Sequence, residues 1–290
     1  MRKSLPEFAR YLLDVLPLPH LTTILDVGAN PIMPAPYSEL LAAKACRVIG
    51  FEPQPEAFAK LQKRKSETES YFPHAVGDGR RLILHVMKFS GFTSTLPIYQ
   101  PSLRLLGAPQ WGHKVSEIEF DSVALDDVTN LGAVDMLKID IQGGELSVLQ
   151  SARKTLAQAV AIIIEHRYLR LYEGEPMVGA VDVELRDQGF ELHKFLFKIS
   201  RAVANSQMSR LNTRRVSDQL IDGDAVYLRD ISKLEAYSDA QLGHLALLAA
   251  STFSSHSLVL RCLDELVLRG CVPSDAPGAY VERLPSEFKA

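Results

Sequence analysis

Hydrophobic residues in the middle of the chain form short continuous runs that alternate with stretches of helical periodicity. Runs without polar alternation predict strands buried on both faces, and a helical stretch after each run predicts a parallel sheet covered by helices. The predicted strands are Thr23–Ala29, Arg47–Phe51, Asp135–Asp140 and Val160–Glu165. The predicted helices between and after them are Tyr37–Ala45, Glu56–Lys65 and Glu145–Leu156. This pattern indicates an α/β fold.

The pattern changes towards both ends of the chain. Two later runs, Phe190–Phe195 and Ala225–Arg229, predict an antiparallel pair of strands that closes the sheet. After them the periodicity is helical only, and Ser238 with Gln241 forms a capping box before a leucine stripe. The predicted parts of the chain are an N-terminal amphipathic helix over 1–22, the sheet domain over 23–231 and a C-terminal helical hairpin over 232–290. The hairpin is a candidate surface for a homodimer.

Composition and charge exclude several classes of protein. The 290 residues are 47% hydrophobic and carry a formal net charge of −3, so no overall positive field attracts nucleic acid. The longest apolar run, Ala159–Ile164, is far too short to span a membrane. The three cysteines have neither a Cys-x-x-Cys pair nor metal-ligand spacing, which is typical of proteins from a reducing compartment. We therefore expect a cytoplasmic protein.

A glycine turn follows the first predicted strand, and an acidic residue ends the second. Gly28 comes directly after Asp26-Val27, and Glu52 lies at about the spacing where a carboxylate binds ribose hydroxyls. Three prolines follow Asn30 and lack the N–H groups that a phosphate requires. These features predict an adenosine ligand without phosphates. S-adenosylmethionine, which carries a positive sulfonium, suits the acidic strand ends, whereas a nicotinamide dehydrogenase requires the missing glycines.

Four segments follow one another along the chain: ILDVGAN, VIGFEPQPEAFAKL, HAVGD and MLKIDIQGGELSVLQSA. In this order they resemble the FkbM-type methyltransferases, over about residues 22–230. The resemblance implies a Rossmann-like class I methyltransferase sheet that uses S-adenosylmethionine to methylate a hydroxyl group of a sugar or polyketide. The chain departs from the family at Pro31, where a glycine is usual, and at Gln142, where an acidic residue is usual.

The resemblance and the strand ends together assign candidate residues to the cofactor. Asp26 and Gly28 are expected beside its methionine part and Glu52 beside its ribose, while Asp78 resembles the position that receives the adenine amino group. The alternative for each of these acids is a cap, a turn or a solvated charge. The cofactor candidates are Asp26, Gly28, Asn30, Glu52, Asp78 and Asp140.

Three hypotheses for the transfer step stay open. His166 has the pKa range of a general base, Asp140 is the alternative base, and alignment of the reactants alone is the third possibility. Gln142 and Glu165 are candidates for binding the acceptor. Glu145 either enters the pocket or stabilises the amino end of the next helix. We expect no metal, because Gln142 replaces the carboxylate that a hard dication prefers.

The segment from Leu192 to Ser217 contains six basic residues and no acidic residue. If Phe190–Phe195 is a parallel strand, the connection that leaves it starts where ligands bind. Arg214 and Arg215 are then candidates for binding an anionic acceptor. A solvated loop is the alternative. The lack of aromatic residues between Ile199 and Ser217 disfavours RNA as a partner. We expect a small-molecule or glycan acceptor. A non-catalytic protein that binds S-adenosylmethionine, or recruits a partner, on the same fold is the rival function.

Overall fold

An eight-stranded mixed sheet lies at the centre of the molecule, and the computed structural model describes residues 5–290. The strands are β1 (Thr22–Val27), β2 (Cys46–Phe51), β3 (Glu69–Phe72), β4 (Arg81–Met87), β5 (Lys114–Asp121), β6 (Met136–Ile139), β7 (Ala161–Arg167), β8 (Phe190–Phe195), β9 (Ile199–Arg201) and β10 (Gln219–Arg229). The α-helices are α1 (Glu7–Val15), α2 (Ser38–Ala42), α3 (Pro55–Arg64), α4 (Gln100–Leu105), α5 (Glu145–Gln150), α6 (Val178–Asp187), α7 (Asp239–Ser251), α8 (His256–Leu268) and α9 (Ala276–Glu282).

The sheet has the strand order β3-β2-β1-β6-β7-β10-β8, and β9 also pairs with β10. The strands β3, β2, β1, β6 and β7 run parallel to one another, whereas β10 is antiparallel to both β7 and β8. The predicted α/β fold, a Rossmann-like, mostly parallel sheet with an antiparallel last strand, is confirmed. All six predicted strands are present, and the parallel strands place their carboxyl ends at one edge of the sheet.

Each face of the sheet has its own hydrophobic core because successive side chains of a strand point to opposite faces. On one face, Ile24, Val48 and Met136 pack with α1, α2 and the C-terminal helices α7, α8 and α9. We call this the C-helix face. On the other face, Leu25 and Ile49 pack with α5 and α6, and we call it the α5–α6 face.

The C-terminal helices complete the core of the sheet. The capping box of Ser238 and Gln241 begins α7 as predicted, and every residue from Leu242 to Ala250 is buried. A helix that is apolar on all sides belongs inside a core. The helix α8 packs along α7, while α1 contacts α7 and α9. These helices therefore share one core with the sheet, and the division of the chain at residues 22 and 231 stays a prediction, as does a homodimer.

The strands β3 and β9 and the hairpin of β4 and β5 are not among the predicted strands. The two hairpin strands pair antiparallel to each other, with Arg81 opposite Asp121, in a sheet separate from the main one. Most of their side chains are exposed or half-buried, so their sequences lack the long hydrophobic run that predicts a central strand. Among the described helices, none is long and apolar enough to cross a membrane.

Candidate active site

A cavity of about 1310 Å³ opens at the carboxyl ends of the parallel strands. The turns after β1, β2 and β6, the adjacent ends of β7 and β10, and the β4–β5 hairpin form its walls. Open α/β sheets bind their ligands at this edge. The volume exceeds the range of about 300–1,000 Å³ that is typical of pockets for one small molecule. The cavity therefore has room for a cofactor and an acceptor together.

The charged side chains at the floor of the cavity belong to one face of the sheet. In β7, Glu165 and Arg167 line the cavity, and His166 between them does not. Asp224 and Asp222 lie opposite Glu165 and Arg167 in the antiparallel register of β10 with β7. The period of two along each strand thus brings four charged groups from two strands into one site.

The turn after β1 passes close to the end of β6. Gly28 has a φ of +83°, and a Cβ at this position would lie 2.1 Å from the carbonyl oxygen of Asp140. Both the backbone conformation and the contact therefore require glycine. Gly28 and Asp140, two of the predicted cofactor residues, are brought together at the cavity.

Asp26 and Lys138 form a buried pair in the cavity floor. The Asp26 carboxylate accepts a hydrogen bond from the Tyr37 hydroxyl, and Lys138 Nζ lies 3.4 Å from its other oxygen. Burial lowers the pKa of Lys138, but the carboxylates of Asp26, Asp140 and Asp224 raise it above its usual value. One ammonium group therefore stays charged among several carboxylates.

Glu52 ends β2 with a carboxyl group that faces the cavity. The residue is only 3% exposed and accepts the backbone N–H of Gln54 at 2.7 Å. Burial raises the pKa of Glu52 to about 7, and the nearby Asp26 carboxylate adds to the rise. Within residues 5–290 no cation forms an ion pair with Glu52, so the group is available to a ligand.

Asn30 and Asp78 also line the cavity. Asn30 begins the proline-containing loop, whose Met33 side chain is 78% exposed. Asp78 accepts hydrogen bonds from the backbone N–H and the guanidinium of Arg80. The local turn that was the alternative interpretation of Asp78 is therefore present. The contact of Asp78 with adenine stays a prediction.

Gln142 is the centre of a hydrogen-bond network at the floor of the cavity. Its Nε2 donates to Asp140 Oδ1 at 2.9 Å and to Glu165 Oε2 at 2.8 Å. Its Oε1 accepts from Arg167 Nη2 at 2.9 Å and from the Tyr172 hydroxyl at 3.1 Å. The Gln142 amide can both donate and accept hydrogen bonds, so it connects two carboxylates with an arginine. A carboxylate at position 142 could only accept hydrogen bonds and would not bind the other two carboxylates.

Arg167 supplies the positive charge of this network. Its side chain is 4% exposed and forms ion pairs with Glu165, Glu175 and Asp222 at 2.7–2.9 Å. Burial and the neighbouring Asp140 nevertheless raise the pKa of Glu165 well above its usual value, although Arg167 opposes the shift. The floor is therefore rigid and rich in hydrogen-bond acceptors.

Asp222 and Asp224 are cavity residues that the sequence analysis missed. It placed the start of the last strand at Ala225, whereas β10 begins at Gln219. The alternation of Ile221, Asp222, Gly223 and Asp224 was the available signal. Asp224 accepts no side-chain hydrogen bond from the described residues. Burial and the nearby Asp140 raise its pKa to about 6.

Glu145 caps the turn before α5 rather than lining the cavity. Its two oxygens accept the backbone N–H groups of Ile141 and Gly143, each at 2.9 Å. Asp140, Glu145 and Glu165 have a spacing that can hold a cation. These backbone N–H groups and the Gln142 amide, however, already satisfy oxygens of all three residues. The absence of a metal stays a prediction.

Comparison with known proteins now identifies the family. The profile described as the methyltransferase FkbM domain matches residues 26–192, more than half of the chain. The chain belongs to the FkbM methyltransferase family. A curated relative, 2-O-methyltransferase NoeI of Sinorhizobium fredii (strain NBRC 101917 / NGR234), is 28% identical over 168 residues, and the match covers 54% of this chain and 68% of that protein.

Two solved methyltransferase structures match about three quarters of this chain at low sequence identity. Methyltransferase FkbM from Methylobacillus flagellatus KT is 15% identical, with 76% of this chain and 50% of that chain covered and a TM-score of 0.38. Magnesium protoporphyrin IX methyltransferase (ChlM) from Synechocystis PCC 6803 with bound SAM is 9% identical, with 77% and 76% covered and a TM-score of 0.37. The alignment spans half of the first structure. Both scores are below 0.5, so the fold assignment rests on the strand order.

The cofactor of this FkbM methyltransferase is S-adenosylmethionine, and the cavity fits it. Gly28 allows the turn after β1 to pack directly against the end of β6 at the cavity wall. Glu52 is a buried carboxyl group without an ion-pair partner among the described residues. Asp26 and Asp140 add negative charge at the wall of a cavity for a ligand that carries a positive sulfur.

His166 lies outside the cavity of this FkbM methyltransferase, and the general-base hypothesis for it is corrected here. The side chain points to the α5–α6 face, is 1% exposed and has its Nε2 3.0 Å from the Tyr227 hydroxyl. Burial lowers its pKa to about 4. The imidazole therefore does not face the cavity.

The assignment of Arg214 and Arg215 to the acceptor is also corrected. The strand β8 is parallel to β7, as that assignment required, and Leu196, Phe197 and Ile199 after it line the cavity. The chain then turns away, and both arginines are exposed outside the lining. Their exposure outside the lining agrees with the solvated-loop alternative.

Proposed function

We propose that this protein transfers a methyl group from S-adenosylmethionine to a hydroxyl oxygen of a sugar or a related polyhydroxylated small molecule. One observation carries the proposal: Asp140, Glu165, Asp222 and Asp224 share the cavity that also contains Gly28 and Glu52. Carboxylates are the acceptors that proteins use for neighbouring hydroxyl groups. The 28% identical 2-O-methyltransferase NoeI supports an oxygen acceptor.

On the cofactor side, each residue has a task that its position supports. Glu52 accepts hydrogen bonds from the two ribose hydroxyls, and Asp78 accepts from the adenine amino group. Gly28 and Asn30 lie along the methionine part, where Lys138 pairs with the carboxylate. When bound, S-adenosylmethionine supplies a methyl group on a positively charged sulfur.

On the acceptor side, the carboxylates orient the hydroxyl and take its proton. Gln142 and Arg167 hold Glu165 in place, so Glu165 orients the acceptor rather than titrating freely. Asp224 has no competing hydrogen bond among the described side chains, and its pKa of about 6 makes it an ionised base at neutral pH. We propose Asp224 as the general base, with Asp140 and Glu165 as the residues that orient the hydroxyl.

The experiment measures methyl transfer to a panel of neutral sugars, acidic sugars and glycans, with the methylated product identified by mass spectrometry. Asp224→Asn should lower kcat by roughly 10²–10⁴-fold while the Kd for S-adenosylmethionine stays within about twofold, because proton transfer alone is removed. The parent's kcat/KM should rise with pH through about 6, as the base ionises.

The matched control is Asp218→Asn, which removes an exposed carboxylate outside the cavity lining and should leave kcat unchanged. A loss below tenfold in Asp224→Asn would return the step to Asp140 or to alignment alone. Tight cofactor binding without transfer to any acceptor would favour the non-catalytic alternative.

A further inference from the structure

Three side chains with metal-ligating atoms lie together at the edge of the sheet opposite the cavity. His20 precedes β1, Asp135 precedes β6 and His244 belongs to α7. The strands β1 and β6 are parallel neighbours, so the residues before them lie side by side, and α7 packs on the C-helix face. One ligand atom from each residue lies within 4.8 Å of the other two.

The distances suit a shared ion. His20 Nε2 is 3.1 Å from Asp135 Oδ2, His244 Nε2 is 3.7 Å from Asp135 Oδ1, and the two imidazole centroids are 4.4 Å apart. The backbone N–H of Thr23 donates to Asp135 Oδ2 at 2.7 Å and fixes the carboxylate. Two imidazoles and one carboxylate, with an open fourth position, form a known type of zinc ligand set.

His244 provides an independent observation that points to a ligand. It is 1% exposed, and its Nε2 has no hydrogen-bond partner among the described residues. Buried polar atoms without partners are rare and require an explanation such as a bound ion. Thr22 Oγ1, 2.9 Å from Nδ1, can accept the Nδ1 proton, which leaves the Nε2 lone pair facing Asp135.

We propose that His20, Asp135 and His244 bind a divalent transition-metal ion, with zinc as the best match to the ligands. Imidazole suits zinc, whereas magnesium prefers oxygen. His20 is 38% exposed beside a small cavity, through which the ion enters and a water molecule completes the coordination. Arg47 also lines this cavity, but its side chain is exposed, so water and salt screen its charge.

The role of this ion is structural. It connects the segment before β1, the amino end of β6 and α7, and it therefore fastens the C-terminal helices to the sheet. The catalytic cavity lies at the other edge of the sheet, so zinc here takes no part in methyl transfer. Removal of the ion should lower the melting temperature while leaving the Kd for S-adenosylmethionine unchanged.

The test uses the full chain without a polyhistidine tag, first treated with EDTA. Titration with zinc chloride in a calorimeter should show one equivalent bound, and cobalt should give a d–d absorption band. Zinc should raise the melting temperature, and magnesium should not. Thr22→Val, which removes the partner of Nδ1, should weaken zinc binding by about tenfold.

His20→Ala is the decisive variant, because His20 is partly exposed and its loss should leave the metal-free protein folded. It should weaken zinc binding by at least about tenfold and abolish the rise in melting temperature. His113→Ala removes an exposed histidine elsewhere and should bind zinc like the parent. If the parent binds no zinc at micromolar concentrations, or if His20→Ala binds it equally well, the cluster is only a hydrogen-bonded histidine–carboxylate network.

Discussion

Glu52 illustrates how burial changes the chemistry of a single carboxyl group. A carboxyl group in water is ionised above about pH 4.3, but burial raises the pKa of Glu52 to about 7. The free protein therefore keeps part of this group protonated at neutral pH. A ligand that offers two hydroxyl donors and a positive charge favours the ionised form, so binding and ionisation are coupled.

The affinity for S-adenosylmethionine should consequently rise between pH 6 and pH 8. A carboxyl group with a pKa of about 7 is about one-tenth ionised at pH 6 and about nine-tenths ionised at pH 8, so the Kd should fall by about tenfold. Calorimetric titrations across this range measure the effect. Glu52→Gln is the control: its amide does not titrate, so its Kd should be higher and flat with pH. A parent Kd that stays constant over the range would contradict the assigned ribose contact.

At the scale of elements, the turn between β6 and α5 organises the cavity floor. Gln142 has a φ of +61°, which directs its amide between Asp140 and Glu165. Glu145 accepts backbone N–H groups of the same turn and holds its shape. In the strand β7, Glu165 and Arg167 face this turn, while His166 between them packs on the α5–α6 face.

Gln142→Glu should destabilise the protein by about 1–3 kcal/mol, because it replaces two donated hydrogen bonds with repulsion from Asp140 and Glu165. Urea unfolding at neutral pH measures the loss. Manganese should restore part of the stability in this variant, since three neighbouring carboxylates then offer hard oxygen ligands. Gln150→Glu adds the same charge at an exposed position and should change stability by less than about 0.5 kcal/mol. Equal effects in the two variants would argue against the bridging role of the amide.

At the scale of the whole molecule, the sheet depends on helices from both ends of the chain. The helix α1 and the helices α7, α8 and α9 cover one face, and α7 is buried throughout its centre. These helices are distant in sequence from the strands that they cover. Their apolar side chains belong to the same core as the strands, so we expect the protein to unfold as one unit.

Leu247→Ala should therefore destabilise the entire protein by about 2–5 kcal/mol, because it leaves a cavity in the core beneath the sheet. Leu247 is fully buried in α7, whereas Leu268 at the end of α8 is 79% exposed. Leu268→Ala is the matched control and should change stability by less than about 0.5 kcal/mol. Urea unfolding followed by tryptophan fluorescence and by circular dichroism should give one coincident transition. Separate transitions for helices and sheet would contradict the shared core.

The fold class and part of the cavity lining follow from residue order along the chain. Continuous apolar runs identified the central strands because both faces of those strands are buried. Asp26, Gly28 and Glu52 were predictable because the carboxyl ends of neighbouring parallel strands meet at one edge. Such residues follow directly after their strands, so local order along the chain was sufficient to find them.

The other cavity residues and the positions of the remaining candidates depend on tertiary packing. Asp224 lines the cavity because the antiparallel register of β10 with β7 places it opposite Glu165. His166 lies outside the cavity because neighbouring side chains of β7 point to opposite faces of the sheet. Arg214 lies outside because a loop's path depends on its contacts rather than on its charge. His20 and His244 are more than two hundred residues apart and meet only through the packing of α7 on the sheet. Contacts of this kind depend on which faces pack together, and residue order in one sequence does not specify that.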